Sequence, residues 1–307
     1  MMMYVLLLVG FFLLIKGADY FVEGSSSIAQ ILNVPSVVIG LTIVAMGTSA
    51  PEAAVSIAAG LFGNSDIALG NIIGSNIFNL LMVIGVSAII CPVAAHKEIL
   101  NRDMWWNIGA SVVLLFMIGL DHKISRLEGM ILLLAMICYL VVVIRSAMKK
   151  RTEGEKIQTM SVSKSILFII LGLVAIIFGG DLVVDNASLI AKAWGMSETL
   201  IGLTIVAIGT SLPELVTSVT AARKGDSGIA LGNAVGSCIF NILFILGSAA
   251  TLTPIHAVTE LVIDAGILIC VSILVLLFVF TKKEASRWEG AFCIFTYVVY
   301  SVYIMMR

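Results

Sequence analysis

The sequence predicts an all-α polytopic membrane protein of ten transmembrane helices, arranged as two inverted five-helix repeats. Three observations predict it. The 307-residue chain is 60% hydrophobic and only 12% charged, with a mean hydropathy of +1.12, too apolar for a soluble domain. Its apolar runs, cut at charged and Gly/Pro-rich breaks, fall into ten pieces of about the length that crosses a bilayer, roughly 20 residues. Residues 40–56 return at 202–218 with twelve identities in seventeen positions.

The expected spans lie near 2–24, 36–61, 67–90, 104–120, 127–146, 163–186, 198–221, 229–251, 258–280 and 288–306. The opening run MMMYVLLLVGFFLLIKGAD has no basic n-region and no small-residue cleavage site, so it reads as the first span and not as a removable leader. A charged stretch, 148–161, separates a first repeat (1–147) from a second (162–307) and reads as a solvated linker. With ten spans, alternate loops face opposite sides. One side collects thirteen Lys/Arg, six of them in 145–164; the other, with both termini, holds Lys123, Arg126, Lys192 and Arg307. The positive-inside rule therefore puts the 145–164 loop in the cytoplasm and both termini outside, in an inner or plasma membrane.

The repeat extends beyond its best block. At the same shift of 162, residues 68–79 match 230–241 at nine of twelve positions, and Gly17 and Asp19 fall on Gly179 and Asp181. Ser125-Arg-Leu-Glu-Gly129 echoes Ser286-Arg-Trp-Glu-Gly290 one residue out of step. Five spans per copy is an odd number, so the second copy enters the membrane from the opposite side. Inverted repeats with interrupted helices at matching places are the mark of a secondary transporter with its site at the midplane.

The best-matched residues are polar and fall at membrane depth. Proline lacks an N–H, so Pro51 and Pro213 are expected to free the carbonyls of Gly47 and Gly209. Such irregular backbone is tolerated only where it is buried in protein or lines a cavity. Glu52 and Glu214 follow directly, and intramembrane carboxylates are functional candidates by default. Asn71, Ser75 and Asn79 recur at i, i+4 and i+8, one stripe of a helix, and Asn233, Ser237 and Asn241 repeat it. Asn71 and Asn233 read equally as interhelical bridges; the four deeper residues read as ion ligands. Carbonyls, hydroxyls and carboxylates make an all-oxygen set, suited to hard cations such as Ca²⁺ and Na⁺. His96, His122 and His256 all fall in expected loops, which leaves Ser49 without an imidazole base and argues against an intramembrane hydrolase. The five cysteines show no paired spacing and read as small buried apolar residues. Asp19 and Glu23, with Asp181 and Asp185, read as helix-end residues or cation-attracting groups at the two mouths; Lys16 neutralises Asp19 or snorkels.

GTSAPE with GNIIGSNIFN, and GTSLPE with GNAVGSCIFN, resemble the two α-repeats of the calcium/sodium antiporters, within the Ca²⁺:cation antiporter superfamily. The resemblance covers essentially the whole chain. It implies that Glu52 and Glu214 are carboxylates shared by Ca²⁺ and Na⁺, with Thr48 and Thr210 supplying backbone oxygens and hydroxyls beside them. It further implies flanking Na⁺ sites from Ser49, Ser75, Ser211 and Ser237, the carbonyls of Ala45 and Ala207 as further ligands, and Asn79 and Asn241 closing the centre. The first and sixth helices are expected to slide across the other eight. Several members carry Asp at the position of Asn241, and Cys238 stands where the first repeat has Asn76. Asn keeps the carbonyl ligand and removes an ionisable group.

Two carboxylates balance one Ca²⁺, and three Na⁺ exceed them by one charge, so exchange at that ratio is electrogenic. The expected function is antiport of Na⁺ against Ca²⁺, with no cofactor, no nucleic acid and no obligate protein partner. The alternatives are an H⁺-coupled or K⁺-dependent Ca²⁺ exchanger and, in another class, a cation channel.

Overall fold

The computed structural model describes residues 2–149, 160–196 and 207–306. Twelve helical segments appear in them. They are α1 (Met2–Ile31), α2 (Ser36–Thr48), α3 (Ala50–Leu61), α4 (Ser65–Ile90), α5 (Ile99–Asp121) and α6 (Arg126–Lys149), then α7 (Val162–Ala193), α8 (Ala207–Gly209), α9 (Leu212–Arg223), α10 (Ser227–Leu252), α11 (Thr259–Lys282) and α12 (Arg287–Met306). Eight are long and apolar enough to cross a membrane, and the bent pair α2–α3 makes a ninth. Of the expected span 198–221, the part before Ala207 lies outside the described residues, as does most of the expected linker.

The expected span 36–61 is not one straight helix. It breaks at Ser49 (φ −80°, ψ 11°) and bends by 51°, because Pro51 just beyond cannot continue the preceding turn. Both long helices α1 and α7 overrun their expected ends, 24 and 186, since polar residues such as Ser25, Ser27 and Asn186 are buried there and stay helical. At 30 and 32 residues, they measure about 45 and 48 Å, so they lie tilted or project beyond the roughly 30 Å of hydrocarbon.

These two helices pack antiparallel on each other through a ladder of small residues. A Cβ on Gly10 would meet the Gly179 carbonyl at 2.9 Å; on Gly17, the Gly172 carbonyl at 2.8 Å; on Gly24, the Ser165 carbonyl at 2.7 Å. Steps of seven residues on both helices keep the rungs in line, and lipid supplies no hydrophobic drive between helices, so backbone proximity supplies the packing. The centre belongs to α4 and α10, whose apolar windows are mostly buried, while α6, α7 and α12 are mostly exposed. Gly232 and Gly236 of α10 let α2 approach at Gly40, Leu41 and Ala45.

Four two-residue strands appear in stretches expected to be loops. β1 (Val93–Ala94) pairs antiparallel with β4 (Glu284–Ala285), and β2 (Lys123–Ile124) with β3 (Ile255–His256). β3 is β1 shifted by 162, and β4 is β2 shifted by 161, so each half pairs its loops crosswise with the other. The loops run close past one another, and pairing satisfies backbone groups that water would otherwise have to reach. The out-of-step echo also has a cause: Ser125 with Glu128, and Ser286 with Glu289, each form a capping box at the start of α6 and α12. His122 (φ 53°) and Lys283 (φ 57°) close the preceding helices in the left-handed conformation.

Candidate cation-binding site

The breaks place the two acids. Pro51 and Pro213 sit in the first turns of α3 and α9, where a missing N–H costs no helical bond. Glu52 and Glu214 follow in those same turns, where the helix dipole favours negative charge. The expectation that Pro51 bares the Gly47 carbonyl needs correcting, because N–H groups of the turn at Ser49 reach the carbonyls of both Ala45 and Gly47. What the break contributes is direction: it turns the chain so that the carboxylate enters the core. Both glutamates are fully buried.

The halves brace each other at this point. Ser49 Oγ donates to Glu214 Oε1 at 2.8 Å, and Ser211 Oγ donates to Glu52 Oε1 at 2.9 Å. Each serine thus holds the acid of the opposite repeat. The second oxygen of each carboxylate, Oε2, is buried without a hydrogen-bond partner among the described residues. Neither acid is paired with a Lys, Arg or His among those residues.

Asn71 and Asn233 turn out to be braces. Their Nδ2 groups donate to Ser56 Oγ at 2.8 Å and to Ser218 Oγ at 3.0 Å, and more weakly to the backbone carbonyls of Glu52 and Glu214. Thr48 Oγ1 donates to Asn233 Oδ1 at 3.0 Å, and Thr210 Oγ1 lies 3.5 Å from Asn71 Oδ1. Both hydroxyls therefore reach the asparagines of the other half. Sequence reasoning missed Ser56 and Ser218, although that pair is the last identity of the repeated block, four residues beyond each glutamate.

The deeper residues of the stripe are arranged differently. Ser237 Oγ lies 3.4 Å from Glu214 Oε1 and 3.5 Å from the Ala45 carbonyl, which also accepts Ser49 N–H at 3.1 Å. Ser49, Ser237, Ala45 and Glu214 therefore form one oxygen cluster drawn from both repeats. Its mirror holds Ser211 and Glu52; Ser75 Oγ is buried without a hydrogen-bond partner among the described residues. Ala207 opens α8 directly after the residues that are not described. Asn79 and Asn241 each begin a π-helical turn, Asn79–Val83 and Asn241–Leu246, a distortion frequent at functional sites. Asn79 Oδ1 and Asn241 Oδ1 are likewise buried and unpartnered.

Five buried oxygens without partners among the described residues therefore belong to the predicted ligand set: Glu52 Oε2, Glu214 Oε2, Ser75 Oγ, Asn79 Oδ1 and Asn241 Oδ1. Leaving such groups unsatisfied is costly, and a buried charge far more so. Oxygen is what hard cations such as Ca²⁺ and Na⁺ coordinate, so unpartnered oxygens are the kind of group such ions would satisfy. No group of three or more His, Cys, Asp or Glu side chains that could hold a metal occurs among the described residues; here two acids act with neutral oxygens.

Away from the centre, Asp19 is tied to Lys16 at 3.7 Å and to Lys224 at 3.5 Å. A cavity of about 700 Å³ opens near that end, lined in part by Glu23, Ser26, His96, Lys224 and Asp226, and it does not include the buried acids. Cys238 and Cys293 are buried as expected, but Cys138 and Cys270 are exposed on helix faces that the apolar sequence turns to lipid.

The family profile described as sodium/calcium exchanger protein matches residues 2–145 and 164–306. Sodium/calcium exchanger MaX1 of Methanosarcina acetivorans is 35% identical over 97% of both chains. Inner membrane protein YrbG of Escherichia coli is 37% identical over 81% of this chain and 79% of its own. A solved structure of the sodium-calcium exchanger NCX_Mj, soaked with zero Na⁺ and Ca²⁺, superposes with a TM-score of 0.86 at 34% identity, covering 99% of each chain. Profile, relatives and fold agree over nearly the full length, and the chain belongs to the sodium/calcium exchanger protein family.

Proposed function

We propose that this protein exchanges Na⁺ for Ca²⁺ across an inner or plasma membrane by alternating access, three Na⁺ against one Ca²⁺, with net movement of charge. One observation carries the reading. Glu52 and Glu214 are both fully buried, each is held through one oxygen by a serine of the opposite repeat, and each keeps its other oxygen without a partner among the described residues. Two like charges in a poor dielectric repel strongly, and one Ca²⁺ neutralises them. Three Na⁺ also neutralise them, with one charge to spare. The site without ions is then the least favourable form to carry across, which enforces exchange over leak.

Ten helices in two inverted repeats, 1–147 and 162–307, accommodate this cycle. Support comes from the reciprocal bonds Ser49–Glu214 and Ser211–Glu52, which a shift of 162 interchanges, and from the crosswise pairing of the short strands. Orientation follows the basic loops: 145–164 in the cytoplasm, both termini outside. The neutral amide at Asn241 favours Na⁺ over H⁺ as the coupled ion, because it offers an oxygen with no proton to exchange.

The test is ⁴⁵Ca²⁺ uptake into proteoliposomes loaded with Na⁺, with Glu52→Gln and Glu214→Gln alongside. Uptake is expected to require the Na⁺ gradient, to vanish in both variants, and to respond to membrane potential, since one charge through 100 mV is worth about 2.3 kcal/mol. Uptake driven by a pH gradient alone moves the protein to the H⁺-coupled branch; strict dependence on K⁺ moves it to the K⁺-dependent branch. Single-channel current steps overturn the carrier.

A further inference from the structure

Asn79 and Asn241 stand at equivalent places, but their surroundings are not equivalent. Asn76 Nδ2 donates to the backbone carbonyl of Cys238 at 3.1 Å. That carbonyl can only accept, so it fixes which way the Asn76 amide faces. Asn76 Oδ1 is left as an acceptor, and Asn241 Nδ2 donates to it at 3.0 Å. The second link fixes Asn241 in turn: its NH₂ is occupied, and its Oδ1, buried and unpartnered among the described residues, is the atom turned away. An NH₂ turned towards a cation would repel it.

Among the described residues, the first repeat's asparagine has no such anchor. Position 238, the counterpart of Asn76, is a cysteine whose thiol donates to the Asn76 carbonyl at 3.6 Å. Neither amide atom of Asn79 has a hydrogen-bond partner among the described residues. The two halves thus match in residue type at 79 and 241 and differ in how that residue is held.

We infer that Asn76 is a positioning residue that makes Asn241 an oriented neutral ligand for Ca²⁺. The inference rests on the proposed reading of Asn241 as an ion ligand. It gives one non-identical pair of the repeat, Asn76 and Cys238, a reason to differ: a carboxylate presents two equivalent oxygens and needs no orienting partner, whereas an amide presents one and does.

The experiment is equilibrium ⁴⁵Ca²⁺ binding to the purified full-length protein in Na⁺-free buffer, which reads the site even in a variant that turns over poorly. Size-exclusion chromatography reports folding. Asn76→Leu, with the same branching and number of heavy atoms but without hydrogen bonds, is expected to weaken Ca²⁺ binding about tenfold, the lower end of what loss of an outer-shell partner costs. In an Asn241→Asp background the same change is expected to shift binding by less than about threefold, since either carboxylate oxygen serves. That double variant also shows that a chain carrying Asn76→Leu folds. Unchanged binding in Asn76→Leu overturns the inference. So does an equal loss in both backgrounds, which marks Asn76 as a structural bridge only. Asn241→Ala separates the two levels. If it binds Ca²⁺ as the wild type does, the underlying reading of Asn241 fails; if it binds weakly while Asn76→Leu binds normally, only the inference fails.

Discussion

The turns Phe62-Gly63-Asn64 and Lys224-Gly225-Asp226 occupy equivalent places in the two repeats, with glycine φ values of 79° and 78°. The second is a clamp. Asp226 accepts from Ser26 Oγ at 2.8 Å, from Ser36 Oγ at 2.7 Å and from the N–H of Ile229, while Lys224 Nζ donates to the Asp19 carbonyl at 2.8 Å. It thereby ties α1 and the start of α2 to the start of α10. Among the described residues the first turn ties nothing comparable: Phe62 is 82% exposed, and Asn64 makes no side-chain cap bond. Ser188, the counterpart of Ser26, has no hydrogen-bond partner for its hydroxyl among the described residues. At the midplane the copies keep the same reciprocal serine–glutamate bonds, although Asn79 and Asn241 are held differently. On the proposed reading the oxygen set answers to the chemistry of the ion and tolerates little divergence; the ends face no such demand, and there the two halves have parted.

The largest expected effect tests what the halves share. A Cβ on Gly172 would meet Phe21 N at 2.5 Å and the Gly17 carbonyl at 2.7 Å, both backbone atoms that cannot rotate away. Gly172→Leu is expected to separate α1 from α7 and to lower Na⁺-driven uptake by more than about tenfold, since overpacking costs roughly 1–3 kcal/mol or more. Gly109→Leu, where an added Cβ meets nothing within 4 Å, is the matched control and should transport normally. Equal behaviour of the two variants would remove the ladder from the shared machinery.

The next effect tests the symmetry of the centre. Ser49→Ala and Ser211→Ala each delete one hydrogen bond to a buried carboxylate, an interaction worth about 1.5–3 kcal/mol. Each is expected to raise the ion concentration for half-maximal uptake about tenfold or more. The two shifts should agree within about threefold. A larger disparity would mean that the centre, like the ends, has diverged.

Much of this plan was legible in the residues because polar groups in an apolar chain are expensive enough to stand out. Glu52, Glu214, Ser49 and Ser211 were visible as repeated polar words, and the structure gathers them. The roles of Thr48 and Thr210 were less legible: spacing puts a side chain on a helix face but does not say which partner takes its hydrogen bond, and those partners lie 185 and 139 residues away. The ladder was written as Gly10, Gly17, Gly24 against Ser165, Gly172, Gly179, a seven-residue step on two helices. Identity between blocks does not reveal it, because the ladder pairs each helix with the other in antiparallel order. The strand pairs could not be read at all, since two residues carry no periodicity.

The smallest effect concerns the clamp itself and sharpens the contrast between the ends. Asp226→Ala removes a charged acceptor of three hydrogen bonds at a half-buried position. Its melting temperature is expected to fall by about 3 °C, given roughly 2–4 °C per kcal/mol for a chain near this size. Hydrogen exchange should quicken over residues 25–36. Asn64→Ala, at the equivalent position, has no cap bond to lose and is expected to shift the midpoint by less than about 1 °C. Lys224→Phe imports the residue of the other turn and breaks an ion pair whose partners are 37% and 35% exposed; a pair so open to water is worth about 0–1 kcal/mol, so its effect falls between the other two. The order matters more than the sizes. If Asn64→Ala destabilised the protein as much as Asp226→Ala, both turns would be braces of equal strength, and the asymmetry of the ends would be one of appearance only.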